Sequence, residues 1–96
     1  MNPENLRLAV ELRHALHAHP ELSMEEVWTK AALMDFLKTH TGLEIRDRGR
    51  WFYAIYHSGS DAPAMAFRAD FDAVPVEESN DIPWKSRFPE IGRAHV

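Results

Sequence analysis

The feature that most constrains this chain is a change of apolar period at Gly42. Before it, apolar residues recur at helical spacing; after it they alternate. In "WFYAIYH", residues 51–57, Trp51, Tyr53 and Ile55 point one way and Phe52, Ala54 and Tyr56 the other. Both faces are apolar, so this strand is expected to need cover on both sides. Helices followed by such strands suggest the first layers of an α/β or α+β unit.

The helical half reads clearly. "NPENLRLAVELRHALHAH" opens with Asn2 as a cap, Pro3 at the first helical position and Glu4 where the helix dipole favours an acid. Leu8, Leu12, Ala15, Leu16 and His19 are expected to share one face, and Pro20 ends the helix. Ser23 and Glu26 have the spacing of a capping box for a second helix, "MEEVWTKAALMDFLKTH", which is expected to stop at Gly42. Its apolar residues lie on two flanks: Val27, Ala31 and Met34 on one, Leu33 and Leu37 on the other. Then "LEIRD", "WFYAIYH" and "AMAFRA" read as three strands, with turns at "RGR" and "SGSDAP". "DFDAVPVEESNDIP" reads as a loop. Two helices are too few to cover three strands that are apolar on both faces, so the unit reads as incomplete.

Composition removes several classes of function. With 96 residues, 45% of them hydrophobic and 27% charged, the chain suits one small globular domain. Its net charge of −4 comes without a basic stripe, which argues against nucleic-acid binding. The longest uncharged stretch, "WFYAIYHSGS", is too short to cross a bilayer, and no secretory signal is expected in "MNPENLRLAVELR". The absence of cysteine removes disulfides and thiolate ligands and fits a cytoplasmic setting.

Asp70 and Asp72 stand out. On an extended backbone they share a face, at the carboxyl end of a strand, where open α/β sheets place ligands. Two carboxylates held close ionise together most easily with a cation or a hydrogen-bond donor between them. The Asp-x-Asp pattern alone fits a solvated turn equally well. Six histidines invite a metal reading, yet His14, His17 and His19 lack a Glu-x-x-His or His-x-x-x-His frame and fit a helix end. His40 and His57 offer less, Glu77 and Glu78 read as solvated loop acids, and Trp28, Trp51 and Trp84 as packing residues.

Taken together, "HAHPEL" at His17–Leu22 and "RADFDAVP" at Arg68–Pro75 resemble the metal-dependent amidohydrolases that include aminoacylases, hippurate hydrolases and indole-acetyl-amino-acid hydrolases. These belong to the superfamily of co-catalytic zinc carboxypeptidases and aminoacylases, and the likeness runs over about residues 5–89. It implies an α/β/α zinc-peptidase-like catalytic domain, of which residues 1–89 would be the N-terminal portion. It also implies cleavage of the amide of an N-acyl amino acid or short peptide, with two divalent metal ions (zinc, manganese or cobalt) and a downstream Glu moving the proton. Family members are often dimers through a separate domain. By the match, Asp72 would brace the metal site from behind its ligands, with Asp70 standing where many relatives carry a metal-binding His. The family's Cys-Gly-His-Asp ligands would follow "SRFP", whereas this chain reads "EIGRAHV". The chain alone is therefore expected to bind no metal and to be inactive.

Residues 91–96 back-translate as ATC GGA AGA GCA CAC GTC, the sequence of a common sequencing adapter. Residues 90–96 are accordingly expected to be a non-native tail, which sets His95 aside as a ligand. Two other readings compete. "DFDAV" also fits the nucleophile motif of haloacid-dehalogenase-like phosphohydrolases, with Asp70 attacking beside magnesium. A small non-catalytic interaction domain is the other.

Overall fold

The computed structural model describes residues 2–93. Helix α1 spans Pro3–Ala18, helix α2 Val27–His40, strand β1 Glu44–Asp47 and strand β2 Phe52–Ile55. The chain thus follows the expected order of two helices and then strands, and only the third strand is missing.

α1 starts as its sequence dictates. The Asn2 side chain accepts the Glu4 amide at 2.8 Å, with Pro3 in the first turn. Leu8, Leu12, Leu16 and His19 are half-buried as expected, whereas Ala15 faces solvent. His19 leaves the helix at φ −123°, and Pro20 behind it is fully buried.

The start of α2 differs from the expected capping box. Met24 takes a left-handed φ of 71°, so the chain turns between Ser23 and Glu26 instead of running straight into the helix. Glu26 occupies the cap position without a side-chain bond. Glu21 caps the helix instead, from the preceding turn: its carboxylate accepts Trp28 N–H at 3.1 Å and Thr29 N–H at 2.6 Å. At the other end Thr41, not Gly42, closes the helix. Its amide and its hydroxyl both reach the Leu37 carbonyl, at 3.0 and 2.6 Å. Of the two apolar flanks, Leu33 and Leu37 are half-buried, but Val27 remains 79% exposed beside an open groove shared with Met24 and Met34.

β1 and β2 pair antiparallel, with Glu44 opposite Ile55 and Asp47 opposite Phe52. Gly49 supplies the positive φ of 87° that the connecting turn needs, and the Asp47 carboxylate accepts its amide at 2.9 Å. Lys30 pins this hairpin to α2 through Asp47, at 2.6 Å, and through the Gly49 carbonyl.

"AMAFRA" does not form the third strand. Residues 57–70 are without regular structure, and Met65 and Phe67 are 82% and 92% exposed. A strand needs a neighbour for its amides and carbonyls, and no described residue offers one here. The β hairpin is likewise uncovered outside: Trp51 is 56% exposed and Tyr56 79%. The radius of gyration of 15.2 Å exceeds the roughly 12–13 Å of a compact domain this long. Apart from Pro20 and Gly92, buried apolar residues among those described reduce to Ala18 and Ala73, where α1 meets the returning chain.

Candidate functional site

The returning chain, from Phe71 onward, packs on the corner between α1 and α2. Leu22 and Ala73 form a parallel bridge, and the Ala73 amide donates to the Glu21 carbonyl at 2.7 Å. Val74 and Gly92 exchange two backbone bonds, of 2.8 and 3.0 Å. Gly92 fits because a β-carbon there would lie 3.2 Å from the Val76 carbonyl oxygen. The "HAHPEL" and "RADFDAVP" segments are therefore direct neighbours in space.

Glu78 is the most tightly held side chain of this corner. It was read as a solvated loop acid, yet it is only 7% exposed. Its two oxygens accept the His17 Nε2–H, each at 2.9 Å, across 61 residues of sequence. The Ser86 amide donates to it at 2.9 Å and the Asn80 side-chain amide at 3.1 Å. Burial works against the charge of Glu78, but these donors outweigh it and hold its carboxyl below the usual range. The same contest holds for Glu21: burial raises it, and the Thr29 and Trp28 amides bring it below normal.

Segment 84–93 then straps onto the C-terminal turn of α1. The Trp84 ring stacks on His14 with centroids 3.7 Å apart and planes 5° from parallel. The Arg87 amide donates to the Ala18 carbonyl at 3.1 Å. Arg93 donates to the Leu16 carbonyl at 3.2 Å and to the Phe71 carbonyl at 2.9 Å. The bonds to Leu16 and Ala18 reach carbonyls in the last turn of α1, where intrahelical partners run out. Of the suspected tail, Ala94, His95 and Val96 lie outside the described residues.

The aspartate pair lies at the edge of this corner. Asp70 is exposed and accepts from Arg68 at 3.1 and 3.3 Å. Asp72 is exposed, and its backbone carbonyl accepts Arg93 at 3.2 Å. The strand that would align the two does not form. That also leaves the phosphohydrolase reading without the strand exit its nucleophile requires.

Among the described residues no group of three or more His, Cys, Asp or Glu side chains could hold a metal ion. The donors nearest to such a role are already engaged, His17 and Glu78 with each other and Asp70 with Arg68. The described residues do not fit a two-metal centre.

No protein-family model matches the chain. It is 36% identical over 87 residues to "Putative amidohydrolase YhaA" of Bacillus subtilis (strain 168), covering 88% of this chain and 22% of that protein. It is 37% identical over 99 residues to the N-acetyl-L-cysteine deacetylase of the same organism, covering 97% of this chain and 24% of that protein. Its fold superposes on the crystal structure of Bacillus subtilis YXEP protein, a dinuclear metal binding peptidase from the M20 family. The TM-score is 0.82 at 33% identity, over 92% of this chain and 25% of that one. The chain is homologous to amidohydrolases and to this M20-family peptidase over most of its own length. It spans about a quarter of its relatives' length and matches the N-terminal part of an M20-peptidase-like α/β domain. Among the described residues no helix is long and apolar enough to cross a membrane.

Sequence reasoning missed Glu21 and Glu78 as structural carboxylates. A signal for Glu21 was present: it follows the buried Pro20 and stands just ahead of a helix with free amides. For Glu78 nothing local distinguished it from Glu77, because its partner lies on α1.

Proposed function

We propose that this chain forms the N-terminal part of a hydrolase that cleaves the amide bond between an acyl group and an amino acid or short peptide. The observation that carries the reading is the contact between "HAHPEL" and "RADFDAVP", joined by the Ala73–Glu21 bond of 2.7 Å, in a chain that matches amidohydrolases over most of its length. Asp72 is the residue assigned a part in the reaction, as a charged carboxylate that orients groups brought by other segments of the enzyme. Asp70 is assigned to hold Arg68 at the edge of the same loop.

The related YXEP protein binds two metals. On this reading the whole enzyme uses two divalent ions, whose ligands lie outside residues 1–89, and no step at a metal is assigned to the described residues. Residues 1–89 constitute the catalytic-domain portion and 90–96 a tail added by read-through. The codons for Ile91–Val96 in the source nucleotide sequence decide that point: adapter codons support it, and different ones end it.

A chimera tests the function. Residues 1–89 replace their counterpart in the Bacillus subtilis N-acetyl-L-cysteine deacetylase, and release of amino acid from N-acyl substrates is measured. The chimera is expected to hydrolyse them, the 96-residue chain alone is not, and Asp72→Asn is expected to lower activity about 10–100-fold. A folded chimera without activity, or an Asp72→Asn variant as fast as its parent, overturns the reading.

A further inference from the structure

The bond between His17 and Glu78 has no part in the function proposed so far. It is the longest-range side-chain contact between two ionisable groups among the described residues, and it is 2.9 Å to both carboxylate oxygens. The imidazole is mostly buried and the carboxylate almost wholly so, at 17% and 4% side-chain exposure. A surface ion pair would carry little weight. This one is different because the two carboxylate oxygens accept from three donors: His17 of α1, shared by both, the Asn80 side chain two residues on, and the Ser86 amide.

Its place in the fold suggests what it controls. Glu78 lies six residues after Asp72, and the chain between them touches the helices at Ala73, through Glu21 and Leu22. Asp72 itself is exposed, and no described donor reaches its carboxylate. Within residues 1–89 the loop is thus anchored on the helices at Ala73 on one side and at Glu78 on the other. Beyond them Gly92 pairs with Val74 and Arg93 holds the Phe71 and Asp72 carbonyls, leaving the Asp72 side chain exposed at the edge. Single-anchor loops pivot, and two anchors remove that freedom.

We propose that Glu78, held by His17, is a positioning residue: the pair clamps the loop that presents Asp72 to the reaction. The inference rests on the amidohydrolase reading of Asp72. Among the described residues no other side chain of α1 hydrogen-bonds Glu78, and the neighbouring His14 is stacked on Trp84.

The test uses the active chimera, so that the function and the clamp fail separately. His17→Phe keeps a ring and removes the donor; His17→Gln keeps an N–H of similar reach. His17→Phe and Glu78→Gln are expected to lower kcat about tenfold or more at nearly constant KM, and His17→Gln to recover most of the loss. A purely structural pair would reduce the amount of folded enzyme and leave kcat per active molecule unchanged, which would overturn the proposal. So would equal kcat in His17→Phe and His17→Gln. Amide exchange over residues 71–76, followed by mass spectrometry, is the second measurement. It is expected to speed up about tenfold in His17→Phe with the β1–β2 hairpin unaffected. If the parent chimera releases no amino acid, the functional reading falls, and unchanged exchange over 71–76 would still sink the clamp.

Discussion

The corner between the two helices and the stretch 57–69 both carry apolar side chains, yet they end up in opposite conditions. At the corner, Ala18, Pro20, Ala73 and Gly92 are buried, and the backbone pairs there through the Ala73–Glu21 and Val74–Gly92 bonds, although Thr29 Oγ1 and Arg93 Nη2 are buried without a partner. Along 57–69, Met65 and Phe67 stand almost fully in solvent. The difference is one of partners. Residues 71–93 return to α1 and find free helix carbonyls, a buried imidazole and the Glu21 carbonyl. Residues 57–69 meet no strand to pair with. A segment folds here when the chain itself supplies its hydrogen-bond partners, and stays extended when it does not.

The largest effect on the corner is expected from Glu78→Leu. The substitution leaves His17 Nε2–H, the Ser86 amide and the Asn80 side chain without their acceptor in a buried place. A loss on the order of 3 kcal/mol follows if water cannot reach them. Urea unfolding of the 96-residue chain measures it, and a shift under a quarter of that would show that the corner does not depend on this carboxylate. Glu21→Ala is expected to cost less, about 1–2 kcal/mol, because it removes the cap of α2 while one of the two amides it accepts, that of Trp28, belongs to an exposed residue. Loss of helical signal confined to α2 would identify the cause.

Both carboxylates also predict how the corner responds to acid. Glu21 and Glu78 sit below the usual carboxyl value of 4.5 because amide and imidazole donors overcome the effect of burial. The stability they contribute is complete above the unfolded-state value and is lost as pH falls through their lower folded values. Unfolding midpoints should therefore drop below about pH 4.5. In a Glu21→Gln, Glu78→Gln double variant that drop should flatten. An unchanged acid limb would mean that other carboxylates govern it.

The sequence told most where interactions are local. Asn2, Pro3 and Glu4 announced the start of α1, and the change of period at Gly42 announced the hairpin, because caps and alternation are encoded within a few residues. It misled where a distant group intervenes. Ser23 and Glu26 have the spacing of a capping box, but the Met24 turn hands that task to Glu21. Glu78 is a loop acid by every local criterion, and its burial follows from His17 sixty-one positions away. For the site, the two motifs named the family and the structure made them neighbours. The ligation of metal was not legible in the residues described, since no third donor gathers near Asp70 and Asp72.

The smallest effect expected in this chain sharpens the comparison most. Phe67 is 92% exposed, so Phe67→Ser should change the stability of the 96-residue chain by no more than about 0.5 kcal/mol. Its alternation with Met65 and Ala69 nevertheless has the period of a strand. If 64–69 is a strand awaiting neighbours, the same substitution in the amidohydrolase chimera removes a buried ring from a sheet and lowers the melting temperature markedly. The two measurements decide between two origins of exposure. A harmless substitution in both proteins would mean that this stretch is a loop by its own chemistry. A cost seen only in the chimera would mean that its exposure here reflects a missing neighbour, and that the apolar pattern was sound.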